Sequence, residues 1–525
     1  MSLLFIFTLS ILVLPIISTP PPAQVALLSF LDTEENHGPS LENARANAPH
    51  IFNAIHSSMR QWGSSLNHNG MSFFPARIPN NTHLYHGTHT LDAVTGMEWL
   101  AFEIEHAEMF SQTLPRPRPP PGSLGSPCPS ASPGCHPSPM EVDWAESWNE
   151  ISHTDDDDDD DQESIQGYLH IYRTTRPLNN LLYIDGTSAG KSTLGTLDSQ
   201  DFVLCNRSNN TQFWADYDRG KELCAIGAEW GIQGFIRMEM GFEVIFCEFS
   251  DGLTLESARQ RPTWKTRRKY EVLNDFEVVR GASLRYPGIT AQRLELDYSG
   301  MVSAFWYNLN LTNPDSEHSD VPRLPSSEKE ELARMKSDVK KAFEESVARE
   351  DVGNDWQGVV DMIVTRYSDR LQVMAGNNSS RENILIGIGI LLNVFLDYGN
   401  VDVPTAVEKC STHYLGTTVP ETASDHFIQE AVLGVTNKIC STLFYVRELL
   451  LEGEETADSS LLDESRVALQ ELVEYLNWTT WRECGKCAYD EVCLAAIWPW
   501  GTVEDHKHPT CLKGDVVRNR FGYWM

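Results

Sequence analysis

Gly186-Thr187-Ser188-Ala189-Gly190 follows the apolar run Leu181 to Ile184 and fits the Gly-x-Ser-x-Gly spacing of a nucleophile elbow. In such an elbow a sharp strand-to-helix turn lifts the serine oxygen clear of the backbone, so Ser188 is a candidate nucleophile for acyl transfer. His86-Gly87 upstream could belong to an oxyanion loop, while downstream no Asp or His stands out as the partner, though Asp425-His426 is available. The helix that an elbow needs is weakly encoded, because Ser192-Thr193-Leu194-Gly195-Thr196 is a poor helix former. The same stretch contains Gly190-Lys191-Ser192. Only Thr187, Ser188 and Ala189 separate the two outer glycines, whereas a phosphate-cradling loop needs four residues there. A nucleoside triphosphate loop is therefore excluded.

Cys484-Gly-Lys-Cys487, Cys493 and Cys511, with His506 and His508 before the last, form a second group with its own chemistry. Four Cys/His ligands at such spacings suit tetrahedral zinc in a reducing compartment. In an oxidising one they make two disulfides that clamp the C-terminus. The N-terminus decides between them. Met1 to Ala23 contains no charged side chain, Leu3 to Ile17 is almost unbroken hydrocarbon, and Thr19-Pro-Pro-Pro-Ala23 interrupts it. That run is short for a bilayer span, so residues 1–23 are predicted to be a signal peptide and not an anchor. Asn-x-Ser/Thr sites at Asn80, Asn206, Asn209, Asn310, Asn377, Asn378 and Asn477 predict N-glycosylation. A secreted, extracellular chain with no metal follows, with Cys484, Cys487, Cys493 and Cys511 in disulfides. Cys128 and Cys135 close a small ring in a proline-rich loop. Cys205, Cys224, Cys247, Cys410 and Cys440 cannot be paired from sequence, and the odd total of 11 leaves one thiol free or shared between chains.

The elements that must position these groups fall into blocks. The 525 residues are 41% hydrophobic with 14 tryptophans, enough for two or three folded domains. A net charge of −33, only partly due to the run Asp155 to Asp161, repels phosphates, so nucleic acid and anionic lipid are not expected partners. Residues 115–165, rich in proline and then aspartate, are predicted to be a disordered insert, because they bury too little apolar area to order themselves. The seven aspartates lack the alternating ligands and glycine of a calcium loop.

Around this insert, helices are predicted at Glu98 to Ser111 and Ala215 to Glu229. Strands are predicted at Thr82–Tyr85, Tyr168–Thr174, Leu181–Ile184, Phe235–Met238, Phe242–Phe249, Phe276–Val279 and Leu294–Tyr298. Together they indicate a mixed α/β domain over 45–300. After Pro325, a helix start at Ser326-Ser327-Glu328 and helical segments at 355–375, 381–398, 421–452 and 461–478 indicate an all-α domain over 326–480. Ile384 to Leu396 is apolar but too short to span a membrane, so it is read as a buried helix. A Cys-rich segment, 481–525, closes the chain. The expected class is α+β.

Leu84-Tyr85-His86-Gly87-Thr88, Gly96-Met97-Glu98-Trp99-Leu100-Ala101-Phe102 feeding a helix with Phe110, and Glu243-Val244-Ile245-Phe246 in a late strand follow one another in an order that resembles the ADP-ribosyltransferase superfamily. The resemblance implies NAD as cofactor or substrate, with His86 holding the adenosine ribose and Gly87 admitting the dinucleotide backbone. Trp99 and Phe110 would line the nicotinamide pocket. Glu243 would stabilise the oxocarbenium-like transition state. Gly241 stands where many members carry a second Glu or Gln.

Trp99–Phe110, Tyr168–Asp185, Thr196–Asp201, Gly231–Asp251 and Trp481–Cys511 also resemble a family of uncharacterised secreted proteins of filamentous fungi. Three functions therefore stand at this level: NAD cleavage or transfer through Glu243, a serine hydrolase using Ser188, and a non-enzymatic glycoprotein of the cell surface or wall. The partner is an unidentified protein or small molecule, with no stable membrane span after signal cleavage.

Overall fold

A computed structural model of the chain describes residues 38–115, 164–207, 215–263, 266, 274–289, 291–349, 351, 353–456 and 459–523. The predicted signal peptide, almost all of the 115–165 insert with the aspartate run, Cys128, Cys135 and Asn209 lie outside them.

Three short helices open the fold: α1 (Leu41–Ala46), α2 (Ala48–Ser57) and α3 (Gln61–Leu66). Strands β1 (Asn69–Ile78), β2 (His83–Thr88) and β3 (Glu98–Ala101) follow, then helix α4 (Ile104–Phe110). The two-residue strands β4 (Leu114–Pro115) and β5 (Ser164–Ile165) pair at the ends of the insert. Next come β6 (Tyr168–Thr174), β7 (Leu178–Gly186), helix α5 (Asp216–Trp230), β8 (Gly234–Met238), β9 (Phe242–Phe246) and β10 (Leu253–Gln260). Helix α6 (Asp275–Ser283) and the short strands β11 (Glu295–Leu296) and β12 (Val302–Ser303) complete this half.

These strands form one sheet in the order β10-β6-β2-β3-β9-β8-β7-β1-β11, with β12 also on β1. All neighbours run antiparallel except β7 and β8, which are parallel and so require a crossover. Residues 187–233 provide it, through a π-helical turn at Ser199–Leu204 and α5. Strand β1 contains Pro75, whose missing N–H a sheet interior would not tolerate. It falls between the β12 pairing at Ser72–Phe73 and the β11 pairing at Ala76–Arg77, where no donor is needed.

The second half is helical: α7 (Lys329–Ala348), α8 (Trp356–Met374), α9 (Arg381–Leu392), α10 (Val403–Thr412), α11 (Ala423–Thr456) and α12 (Ser460–Leu476). Helix α7 starts with a capping box between Glu328 and Glu331, one residue after the predicted start signal. The long α11 packs on α9, α10 and α12 and also reaches back to α1 and α2. Residues from 45–300 and from 326–480 thus share one continuous apolar core, in which Ile245 of the sheet and Leu443 of α11 are both fully buried. A small hairpin, β13 (Glu491–Leu494) with β14 (Thr510–Lys513), and two short helices, α13 (Val503–Lys507) and α14 (Gly514–Arg518), end the chain. The class is α+β, with a mixed α/β N-terminal region and a helical C-terminal region.

Two predicted elements change type. Glu98 to Ser111 begins as strand β3 and turns helical only at Ile104, because Glu98 to Ala101 pair along β9. Phe276–Val279 is helix, not strand: the Asn274 side chain accepts from the Glu277 amide and caps α6. Helix α9 buries Ile384, Ile388, Leu391 and Leu392 but exposes Ile386 and Ile390, so it is half-buried. Among the described residues no helix is long and apolar enough to cross a membrane.

Candidate acid–base site

Strands β8 and β9 are buried along their whole length, as expected of central strands covered on both faces, yet they contain Arg237 and Glu243. Residues directly opposite one another in a sheet share a face. Tyr85, Ala101, Glu243 and Arg237 pair in one row across β2, β3, β9 and β8, so Glu243 and Arg237 point the same way. Helices α4 and α5 cover this face. The β8–β9 turn, closed by the Glu239 amide donating to the Gly241 carbonyl at 3.0 Å, adds Glu239. Gly241 has to be bare: a Cβ there would stand 2.8 Å from a Glu103 carboxylate oxygen and 2.9 Å from His106 Nδ1.

Two more charges come from the crossover. Lys191, just past the β7 turn, reaches Asp216 at the start of α5, with Nζ 3.0 Å from the carboxylate, and also contacts Glu239. Arg237 forks onto one Glu243 oxygen, at 3.1 Å from Nε and 2.5 Å from a terminal nitrogen. His106 Nε2 lies 3.6 Å from Glu239. Glu239, Glu243 and His106 each offer an atom within 4.8 Å of the others. Trp498, from the C-terminal segment, lies against Lys191 with its ring centre 4.5 Å from Nζ. Of these charged groups Lys191 and Asp216 reach solvent most, at 11% and 19% side-chain exposure.

The environment separates the two glutamates. Burial pushes both carboxyls up; at Glu243 it wins over Arg237, and the acid is held above its ordinary range. At Glu239, Lys191 and His106 outweigh burial and keep the carboxylate ionised. Burial disfavours charge on Lys191 and His106 too, but the surrounding carboxylates prevail and raise both. Glu103, whose burial is opposed mainly by His106, is pushed up to about 7. Glu103 Oε1 and His106 Nδ1 are buried without a hydrogen-bond partner. His106, Glu239 and Glu243 are metal-ligating types, but an ammonium and a guanidinium already occupy the carboxylates. The donor set therefore fits proton transfer better than a divalent ion.

The residues singled out from sequence are dispersed around this cluster. His86 is next to Tyr85 in the row and so faces the other side of the sheet from Glu243. Its Nδ1 donates to the Trp99 carbonyl at 2.7 Å, its ring packs on Phe249, and burial lowers its pKa to about 4. Gly87 does allow a close approach, but of α4: a Cβ there would overlap the Ala107 carbonyl oxygen and crowd the Phe110 backbone. No dinucleotide can take that place. Trp99 is two residues from Ala101, on the Glu243 face, where its ring meets Tyr217 at 6.1 Å. Phe110 packs on His106, ring centres 5.7 Å apart. Cavity or not, His86 and Glu243 do not line one cleft.

Ser188 is buried and its Oγ donates to the Ile184 carbonyl at 2.7 Å, the bond of a tight turn and not of an activated nucleophile. Asp425 accepts from the Ser299, Trp356 and Asn354 side chains and from the Glu421 and Thr422 amides, which makes it the anchor of the α11 start. It orients no histidine toward Ser188. Disulfides join Cys484 to Cys493, Cys487 to Cys511, Cys224 to Cys247 and Cys410 to Cys440, and Cys205 is a free thiol among the described residues. Sequence reasoning missed Lys191, Asp216, Glu239 and His106. The available signal was Arg237-Met-Glu-Met-Gly-Phe-Glu243, which alternates charge through an otherwise apolar strand pair.

No solved structure matches this chain. It is similar to Uncharacterized protein YOR389W of Saccharomyces cerevisiae, 25% identical over 88% of this chain and 84% of that protein. It is also similar to Uncharacterized protein YPL277C of the same yeast, 31% identical over 39% of this chain and 41% of that protein. Residues 40–266, which supply His106, Lys191, Asp216, Arg237, Glu239 and Glu243, match the family model described as YPL277C N-terminal domain.

Proposed function

We propose that the chain is a secreted, N-glycosylated enzyme that cleaves a glycosidic bond by acid–base chemistry between Glu239 and Glu243. The observation that carries this reading is the closeness of two buried carboxyls, within 4.8 Å, in environments that drive their pKa values apart. Such a pair divides into proton donor and ionised partner. In this reading Glu243, whose pKa burial raises, is the group that gives a proton to the departing oxygen. Glu239, kept ionised by Lys191, faces the positive charge that develops at the anomeric carbon.

Carboxyl oxygens within 4.8 Å of each other leave no room for a water between the groups, which favours a retaining over an inverting mechanism. The Glu239 carboxylate forms a bond to the anomeric carbon as the bond to the leaving group breaks. Water then attacks that carbon, gives its proton to Glu243 and frees Glu239. Loss of nicotinamide from NAD breaks a bond at the same kind of carbon. It is the second reading, favoured by Trp99 lying on the Glu243 face.

Secretion and glycosylation are supported by four disulfides. Asn80, Asn206, Asn310, Asn377, Asn378 and Asn477 are also all exposed. The test is an assay of sugar release from oligosaccharides, and of nicotinamide release from NAD, by the protein recovered from culture medium. Glu239→Gln and Glu243→Gln should each lower turnover by about 100-fold or more in protein that circular dichroism shows to be still folded at the assay temperature, although each loses a buried ion pair. Turnover that survives both substitutions overturns the assignment.

A further inference from the structure

We propose that the chain pairs with a second copy of itself across a two-fold axis at the middle of α8, through the exposed faces of α8 and α9. The inference is independent of the acid–base site. A groove of about 1010 Å3 runs between these two helices, with Met362, Thr365, Arg366, Asp369, Arg370 and Val373 along its α8 side. Their spacing of three and four positions puts all six on one stripe of the helix. Ile386 lines the groove from α9, and Ile390 follows one turn on, where its carbonyl accepts from Arg366 at 2.9 Å. Met362, Val373, Ile386 and Ile390 are 50%, 68%, 54% and 44% exposed, so nothing among the described residues covers them. Apolar side chains grouped in this way mark a surface that meets a partner.

The order of the α8 stripe says which partner fits. Read from either end, it sets an apolar residue against an apolar one and a charge against its opposite. In an antiparallel pair of α8 helices centred between Tyr367 and Ser368, Met362 meets Val373 of the second copy. Arg366 then meets Asp369 of that copy, and Thr365 meets Arg370. The axis repeats every contact, as an isologous interface requires. Asp369 and Arg370 are exposed, and no ion pair among the described residues holds either of them. Asp361, the remaining acid of the groove, is already held by Arg60 and His56 of its own chain. A net charge of −33 opposes self-association over most of the surface. The stripe carries two arginines and one aspartate, so that repulsion is relieved where the copies meet. Asn377 and Asn378 lie past the C-terminus of α8 and outside the stripe.

The experiment uses the full-length protein recovered from culture medium. Light scattering and sedimentation velocity between about 1 and about 50 μM should show a monomer–dimer equilibrium. Arg366→Asp and Asp369→Arg each set like charges face to face twice, and each should weaken dimerisation about tenfold or more. An equimolar mixture of the two should recover it, because one copy then presents two aspartates and the other two arginines. Val373→Asp should weaken dimerisation too. Asp369→Arg and Val373→Asp leave the bond from Arg366 to Ile390 in place, so they read the interface even if Arg366→Asp unfolds. Circular dichroism checks the fold of each variant. The proposal fails if the parent is monomeric at the highest concentration, or if the mixture of folded variants stays monomeric. A dimer that Asp369→Arg and Val373→Asp leave unchanged uses another face and overturns it as well.

Discussion

Lys191 lies between two regions far apart in sequence: its ammonium stands 4.5 Å from the centre of the Trp498 ring while the lysine itself follows the sheet's parallel crossover strand. The contact joins residues 40–266, which match the yeast domain, to the disulfide-clamped end of the chain. It also gives one cation three partners, since Asp216 and Glu239 hold the same ammonium. The lysine is thereby fixed as a charge and not as a nucleophile, because the carboxylates raise its pKa instead of depressing it.

Removing that charge should be expensive. Lys191→Met keeps the length of the side chain but leaves Asp216 and Glu239 buried without their ammonium, a loss of about 3–5 kcal/mol. Adding Glu239→Gln to the methionine variant should recover part of it, because one of the stranded charges is then gone. Urea unfolding of the two single variants and the double variant measures this coupling. Additive effects would mean that the ammonium is solvated and the cluster is looser than its distances imply.

Gly87 has a structural duty that can be checked without any ligand. Its missing Cβ lets the last turn of α4 cross β2, and backbone atoms of Ala107 and Phe110 have no way to yield. Gly87→Ala should lower stability by about 1–3 kcal/mol or more, the range for forcing an extra carbon into a packed contact. Gly485 has no neighbour within 4 Å of the equivalent position, so Gly485→Ala should stay within about 0.5 kcal/mol. Thermal melts of the two variants side by side decide the matter. A neutral Gly87→Ala would reopen the place for a cofactor.

The C-terminal clamp should hold Trp498 against Lys191. Cys484–Cys493 and Cys487–Cys511, with sequence separations of 9 and 24, tie down the β13–β14 hairpin. Peptide mapping without reductant should recover these two links together with Cys224–Cys247 and Cys410–Cys440. Replacing Cys487 and Cys511 by serine should cost about 2–4 kcal/mol and broaden the environment seen by tryptophan fluorescence. Other pairings in the map, or unchanged stability in the serine variant, would contradict the clamp.

Much of the fold was legible in local pattern. Tyr168–Thr174 alternates as a strand should and is one, and Glu328 begins α7 through a side-chain cap visible in the sequence. Local pattern failed where tertiary contacts overrule it. Pro75 argues against a strand, yet β1 tolerates it because the short partners β11 and β12 leave a gap there. Phe276–Val279 is apolar enough for a strand, but too short a run to tell strand from buried helix, and Asn274 decides it. The site was harder still. Glu243 could be picked out as a charge in an apolar strand, whereas His86 was tied to it only by motif order, and the sheet's pleat puts the two on opposite faces. Lys191 and Glu239 meet across 48 positions of sequence, with Asp216 between them, and no periodicity reports a contact of that kind.

Asp185, at the end of β7, lets the burial of charge be read from a pH dependence. Burial pushes its carboxyl up to about 7, although the Ser72 amide donates to it at 2.8 Å. In the unfolded chain the same carboxyl titrates near 4. Between these values the folded protein binds a proton that the unfolded chain releases. The group's contribution to stability is therefore complete below about pH 4 and is lost as pH rises through about 7. His86 acts in the opposite direction: burial lowers it to about 4 from 6.5, so its contribution fades as pH falls through that window. The two overlap, and the total profile is not diagnostic. Asp185→Asn is, because asparagine can still accept from Ser72 but cannot ionise. Relative to the parent, the variant should gain stability as pH is raised from 5 to 7, by on the order of 1 kcal/mol per pH unit, and then level off. Urea titrations at unit steps from pH 5 to 8 give the difference directly. Parallel curves for the two proteins would mean that Asp185 is ionised in the folded state and that its buried end of β7 is wetter than the packing against Gly70 implies.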